Sequence, residues 1–133
     1  MELKDIAAVS GKSGLFKIIS PTRTGFLLES MDESKAKLAV PANQKISVLE
    51  EISIYVNTAE GTTPLKDVLV AVHKKFGDAL PITHDADPKD LRNFMMQVLP
   101  EYDESRVYNS DIKKLIRWYL VISKQAPEIL TAG

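Results

Sequence analysis

The nine residues Val56 to Pro64, VNTAEGTTP, divide two hydrophobic rhythms. Before them, apolar runs are short, rich in β-branched residues and closed by turns; after them, apolar residues recur at helical spacing. A chain whose period changes once, from strand to helix, folds as strands followed by helices, an α+β architecture. The dividing stretch is too short for a long tether, so it predicts a tight joint with the first helix folded back onto the strands. In a chain of 133 residues each half is too small to bury much surface alone, and the two are expected to lean on each other.

In the first half, Leu3, Ile6, Ala7 and Val9 suit a short amphipathic helical turn stopped by Gly11. Strands are expected at Leu15–Ile19, Gly25–Met31, Ala36–Val40, Lys45–Leu49 and Ile52–Val56, separated by polar turns such as Ser20-Pro21-Thr22-Arg23-Thr24-Gly25, where glycine frees the chain to reverse. Five short strands at this spacing point to a small five-stranded antiparallel β-barrel, SH3-like or Sm-like, over residues 1–58, because closure removes the open edges. A three-helix module follows over 63–125. Thr63-Pro64 and Asp87-Pro88 are helix starts, each a capping residue before a proline at the first helical position. Leu65, Val68, Leu69, Val72 and Phe76 form the first buried stripe, Leu91, Phe94, Met95 and Val98 the second. Capped by Asn109 or Ser110, the third helix buries Ile112, Leu115, Ile116, Tyr119 and Ile122. Residues 126–133 read as a flexible tail.

The chain has no cysteine, so disulfides, thiolate metal sites and cysteine nucleophiles are excluded. The N-terminus mixes acidic residues into what would be a signal peptide's basic region, and no apolar run approaches a membrane span, so a cytoplasmic protein with no membrane partner is expected. Net charge is -1, and the halves on either side of Thr63 and Pro64 are each close to neutral. Any surface for a polyanion must therefore be a local patch.

No motif commits the chain to a reaction. SGKSG at Ser10–Gly14 has Ile6 where a phosphate-binding loop needs its first glycine, and a strand where the helix should follow. Asp78, His84, Asp85 and Asp87 are metal-ligand types, but adjacency and helix capping account for them. His73 sits beside the apolar face of its helix with no nucleophile elbow elsewhere. The reading is no enzyme, with no catalytic, metal or cofactor residues, no cofactor and no identifiable small-molecule substrate.

What remains is a candidate binding surface. The polar side of the last helix carries Lys113, Arg117 and Lys124 beside Lys114 and Trp118, and the barrel rim carries Lys12, Lys17 and Arg23. Basic side chains interleaved with an aromatic can hold phosphates and stack a base. The preferred reading of the last helix is plainer, a solvated charged face with the tryptophan packed onto the β module, because this half carries no net charge.

Several segments carry a resemblance: Leu3-Lys4-Asp5-Ile6, Ser10-Gly11-Lys12-Ser13-Gly14-Leu15, Ser47 through Tyr55, Thr63-Pro64-Leu65, Tyr102 through Tyr108, Asp111-Ile112-Lys113-Lys114-Leu115 and Trp118-Tyr119. Together they resemble a Bacteroidetes family in which an N-terminal domain of unknown function precedes a helical domain of unknown function. That resemblance implies a cytosolic bacterial protein and supplies no catalytic residue. The first functional expectation is a non-enzymatic binding or scaffold protein recognising a protein partner or itself. The second is an RNA- or DNA-binding accessory protein using the barrel rim or the last helix. The groove beside Val56–Pro64 is the place where either would act.

Overall fold

A computed structural model describes residues 1–12, 14–77, 79–83 and 85–131. The first apolar run departs from the helical expectation. Only Leu3–Asp5 turns helically, as a single 3-10 turn, and Ile6–Val9 is a strand, β1. Ile6, Ala7 and Val9 are all buried. A strand covered on both faces reads as a continuous apolar run, which periodicity does not separate from a short helix.

β2 (Phe16–Pro21), β3 (Gly25–Ser30), β4 (Lys37–Pro41) and β5 (Ile46–Val48) complete an antiparallel sheet in the order β4-β3-β2-β1-β5. The strand count is the expected five, but the membership differs. β1 inserts between β2 and β5, with Ala7 opposite both Phe16 and Val48. The strand expected to be fifth, β6 (Ser53–Tyr55), leaves the sheet to pair with β7 (Thr62–Pro64). The closed SH3-like or Sm-like barrel is therefore corrected to an open sheet. Its edge strands β4 and β5, joined through residues 42–45, form no ladder with each other. β5 has only 3 residues and β4 ends in Pro41, which has no N–H to donate. Short, proline-ended edges also resist pairing with other chains. Gly25 is needed for close approach rather than for reversal: a Cβ there would lie 1.9 Å from the Val40 carbonyl oxygen.

Val9, Phe16, Leu28 and Val40 bury one apolar layer of the sheet, flanked by Ile18, Leu38 and Ile46. Ile6 belongs instead to a larger core that holds Leu3, Leu15, Met31 and Leu49 from the first half together with the apolar stripes of the helices. The two halves thus share one core.

Helices α1 (Leu65–Phe76), α2 (Pro88–Val98) and α3 (Asn109–Gln125) occupy the stretches their periodicity marked. The capping differs from expectation. Thr63 is a strand residue opposite Ile54, and Pro64 is the N-cap of α1. Asp87 precedes Pro88 without a side-chain cap bond. At α3 the expected caps Asn109 and Ser110 are the first two helical residues; Tyr108 is the N-cap, and its N–H donates to Asp111 Oδ2 at 3.0 Å. Three helices become four, because the segment expected to be a flexible tail from 126 contains α4 (Glu128–Thr131). Its order follows from burial: Ala126, Ile129 and Leu130 join the large core, and the Met1 ammonium lies 3.4 Å from the Glu128 carboxylate.

The joint is a hairpin. Gly61, at φ 75°, closes it, and Val56 N–H donates to the Gly61 carbonyl at 3.0 Å. Residues 101–103 grip the other edge: Val56 forms a β-bridge with Tyr102, and Asp103 N–H donates to the Tyr55 carbonyl at 2.9 Å. Leu65 N–H donates to the Ile52 carbonyl at 2.9 Å, which starts α1 against the strand layer.

Two outcomes follow from this packing. Leu49→Ala, at a side chain with 0% exposure, should cost about 2–5 kcal/mol. In urea, strand and helix signals should still fall in one coincident transition, whereas separate transitions would mean independent halves. Tyr102 Oη is buried with no hydrogen-bond partner among the described residues, and burial pushes its pKa up. Tyr102→Phe should therefore raise the urea midpoint, by about 1 kcal/mol in stability, and a clear drop would show that the hydroxyl is bonded in solution.

Candidate functional site

A groove of about 590 Å³ opens between the β1–β5 side of the sheet, β6 and α3. Ala8 lies opposite Ser47 in the ladder, so both share one face, and Lys45 precedes Ser47 by one pleat. Lys45, Ser47 and Ser10 line the sheet wall, Lys12 the β1–β2 turn, and Ser53 and Tyr55 come from β6. On α3, Asp111, Lys114, Arg117 and Trp118 line the opposite wall; Lys114 follows Asp111 by three residues, and Arg117 and Trp118 follow Lys114 by three and four, so one helix side carries them all. Arg106, in the segment before α3, places its guanidinium carbon 5.2 Å from the Tyr55 ring centroid.

The lining is basic by composition: among the described residues, Lys12, Lys45, Arg106, Lys114 and Arg117 stand against one carboxylate, Asp111. Asp111, the third residue of α3, accepts the N–H of the N-cap Tyr108. Asp103 Oδ1 accepts from Ser105 Oγ at 2.6 Å and Ser105 N–H at 3.0 Å, and Asp103 Oδ2 sits 3.7 Å from Arg106 Nε. The Ser105 hydroxyl, more than the Arg106 charge, holds the Asp103 carboxyl below its ordinary range. Among the described residues, Lys12, Lys45, Lys114 and Arg117 form no ion pair.

The fold brings three of the expected surface residues together: Lys12 from the strand half and Arg117 and Trp118 from α3 line one groove. Trp118 is half-buried against the large core, so it is both packed and part of the lining. The others lie elsewhere. Lys17 is half-buried on β2, opposite Ile6 and Glu29. Arg23 is exposed in the β2–β3 turn, and Lys113 is half-buried on α3 outside the lining. Lys124 Nζ lies 3.5 Å from Glu33 beside a separate hollow walled by Met31, Leu120 and Val121. Sequence reasoning missed Lys45, Arg106 and Tyr55. Lys45 and Tyr55 were visible as members of strands, but nothing local says that β5, β6 and α3 face one another.

Other clusters hold less. Tyr119 Oη donates to the Gly77 carbonyl at 2.5 Å and lies 3.5 Å from His73 Nδ1, which ties α3 to the end of α1. Asp78 and His84 of the metal-type cluster lie outside the described residues, and the Thr83 hydroxyl donates to Asp85. Among the described residues no group of three or more His, Asp or Glu could hold a metal ion, and no helix is long and apolar enough to cross a membrane. The glycine-rich segment is followed by β2, not by a helix.

Comparison with known proteins locates the chain. Residues 52–122 match the family described as Domain of unknown function (DUF6852), and residues 3–49 match Domain of unknown function (DUF5606). A structural-genomics target from Bacteroides vulgatus, solved by NMR in solution, is 36% identical, with a TM-score of 0.76, over 94% of this chain and 88% of that one. No curated protein matches. The chain belongs to this two-domain family, in agreement with the Bacteroidetes resemblance of its sequence.

Because the folded-state pKa of Asp103 is depressed, its contribution to stability is present above the unfolded carboxylate pKa and lost as pH falls through the folded value. Asp103→Asn should be less stable than wild type at neutral pH, with the gap closing as urea melts are repeated down to about pH 3. A gap independent of pH would show that the charge of Asp103 is not what matters.

Proposed function

We propose that this protein is a non-catalytic recognition module that binds an extended polyanion in the groove between the sheet and α3. The observation behind this reading is convergence. Lys12 and Lys45 from the strand half meet Lys114 and Arg117 of α3 around one groove, in a chain whose net charge is -1. Cations gathered in a concavity raise the local potential well above what net charge suggests. The lining offers hydroxyls from Ser10, Ser47 and Ser53 as further donors to an anion. Among the described residues the lining holds no nucleophile hydrogen-bonded to a base, which favours recognition over turnover.

Chromatography on heparin–agarose tests the reading. Despite its net negative charge, the wild-type protein should be retained at low salt and eluted by a salt gradient. Lys114→Glu/Arg117→Glu should pass through unretained, while Lys75→Glu, an exposed change in the last turn of α1, should elute close to wild type. Wild-type protein in the flow-through, or equal loss from Lys75→Glu, would overturn the proposal.

A further inference from the structure

We infer that the polyanion is a single-stranded nucleic acid whose bases stack on Trp118 and Tyr55, an inference that rests on the polyanion reading above. The cations alone would suit any chain of negative charges. The aromatics narrow the choice. Tyr55 is 45% exposed on β6, with the Arg106 guanidinium over its ring, and Trp118 stands on α3 beside Arg117. Rings and guanidinium planes set among phosphate-seeking cations are the two components of single-strand recognition: the backbone follows the charge while successive bases stack.

An acidic peptide is the competing occupant, and the groove serves it poorly. Strand addition needs a free sheet edge, and binding of acidic side chains by the basic cluster alone would leave the two aromatics without a role. β5 offers an edge of only 3 residues. β6 is paired to β7 on one side and bridged near its end by residues 102 and 103 on the other. A duplex fits less well: its stacked bases cannot reach Trp118 and Tyr55, and reading its groove takes a protruding helix or ribbon, whereas the basic side of α3 lines a concavity.

Trp118 is the only tryptophan of the chain, so its fluorescence reports directly on stacking. The protein is titrated in parallel with a single-stranded oligothymidylate, with inorganic polyphosphate and with polyglutamate, following fluorescence and, with labelled ligands, anisotropy. The oligonucleotide should quench Trp118 and bind with an affinity that falls as salt rises, with a log–log slope of about -3 for four or five neutralised phosphates. Tyr55→Ala, at an exposed side chain, should weaken oligonucleotide binding about tenfold at an unchanged slope and leave polyphosphate binding unaltered. Trp118→Phe should retain most of the affinity, and Trp118→Leu should lose it while circular dichroism confirms the fold. Equal binding of oligonucleotide and polyphosphate, indifferent to Tyr55 and Trp118, would overturn the nucleic-acid inference and leave the polyanion reading standing. Preference for polyglutamate would overturn it in favour of an acidic peptide. Failure of all three ligands at low salt would sink both.

Discussion

The structure depends on a core that neither half can build alone. Leu3, Ile6 and Leu49 from the strand half are buried with Leu65, Val68 and Leu69 of α1 and with the inner stripe of α3. The sheet has a second apolar layer around Phe16 and Leu28, but only four of its residues are buried, too few to hold five short strands on their own. The 3-10 turn Leu49–Glu51 is where the dependence concentrates. Its one buried side chain, Leu49, enters the common core, and the turn ends by redirecting the chain out of the sheet into β6.

That redirection explains why the sheet stays open. A strand continuing after Leu49 could have closed a barrel, as the spacing of apolar runs suggests. Instead β6 joins β7, and the vacancy beside β2 goes to β1, the run Ile6–Val9. Four apolar residues are compatible with a helical turn or with a central strand, and only the neighbours decide. The helices were legible because amphipathic stripes of eleven or more residues repeat the signal several times over. Their caps were not. Thr63 and Asp87 have the right chemistry at the right positions, yet strand pairing took Thr63 and Asp87 makes no cap bond. The end of the chain was misread for a related reason: Ile129 and Leu130 look like tail residues until a core is present to receive them.

The groove was half legible. Arg117 and Trp118 stand together on one helix, so helical spacing was enough to nominate them. Lys12 was nominated separately, from a turn, and nothing in the sequence joins the two proposals. Lys45 carries no local mark at all, being one lysine at the mouth of a short strand. What unites these residues is the antiparallel ladder that sets β5 against β1 together with the hairpin that sets β6 against α3. Both are contacts between residues far apart in sequence.

Charge balance in each half concealed the patch for a physical reason. A count of charges over a half says nothing of where each charge stands in the fold. In the folded chain the acids nearest the groove are held by backbone amides and hydroxyls: Asp111 by the first turn of α3, and Asp103 by Ser105 within the turn that clamps Tyr55. A carboxylate that caps a helix is fixed in direction as well as in position. Among the described residues Lys12, Lys45, Lys114 and Arg117 form no ion pair, and their exposed side chains extend toward solvent, whereas Arg106 is held by Asp103 and Tyr55. Helix starts and tight turns therefore sort charge as the chain folds, drawing acids toward the backbone and leaving these four cations outward. A sequence that is neutral half by half can present a basic groove without any excess of basic residues.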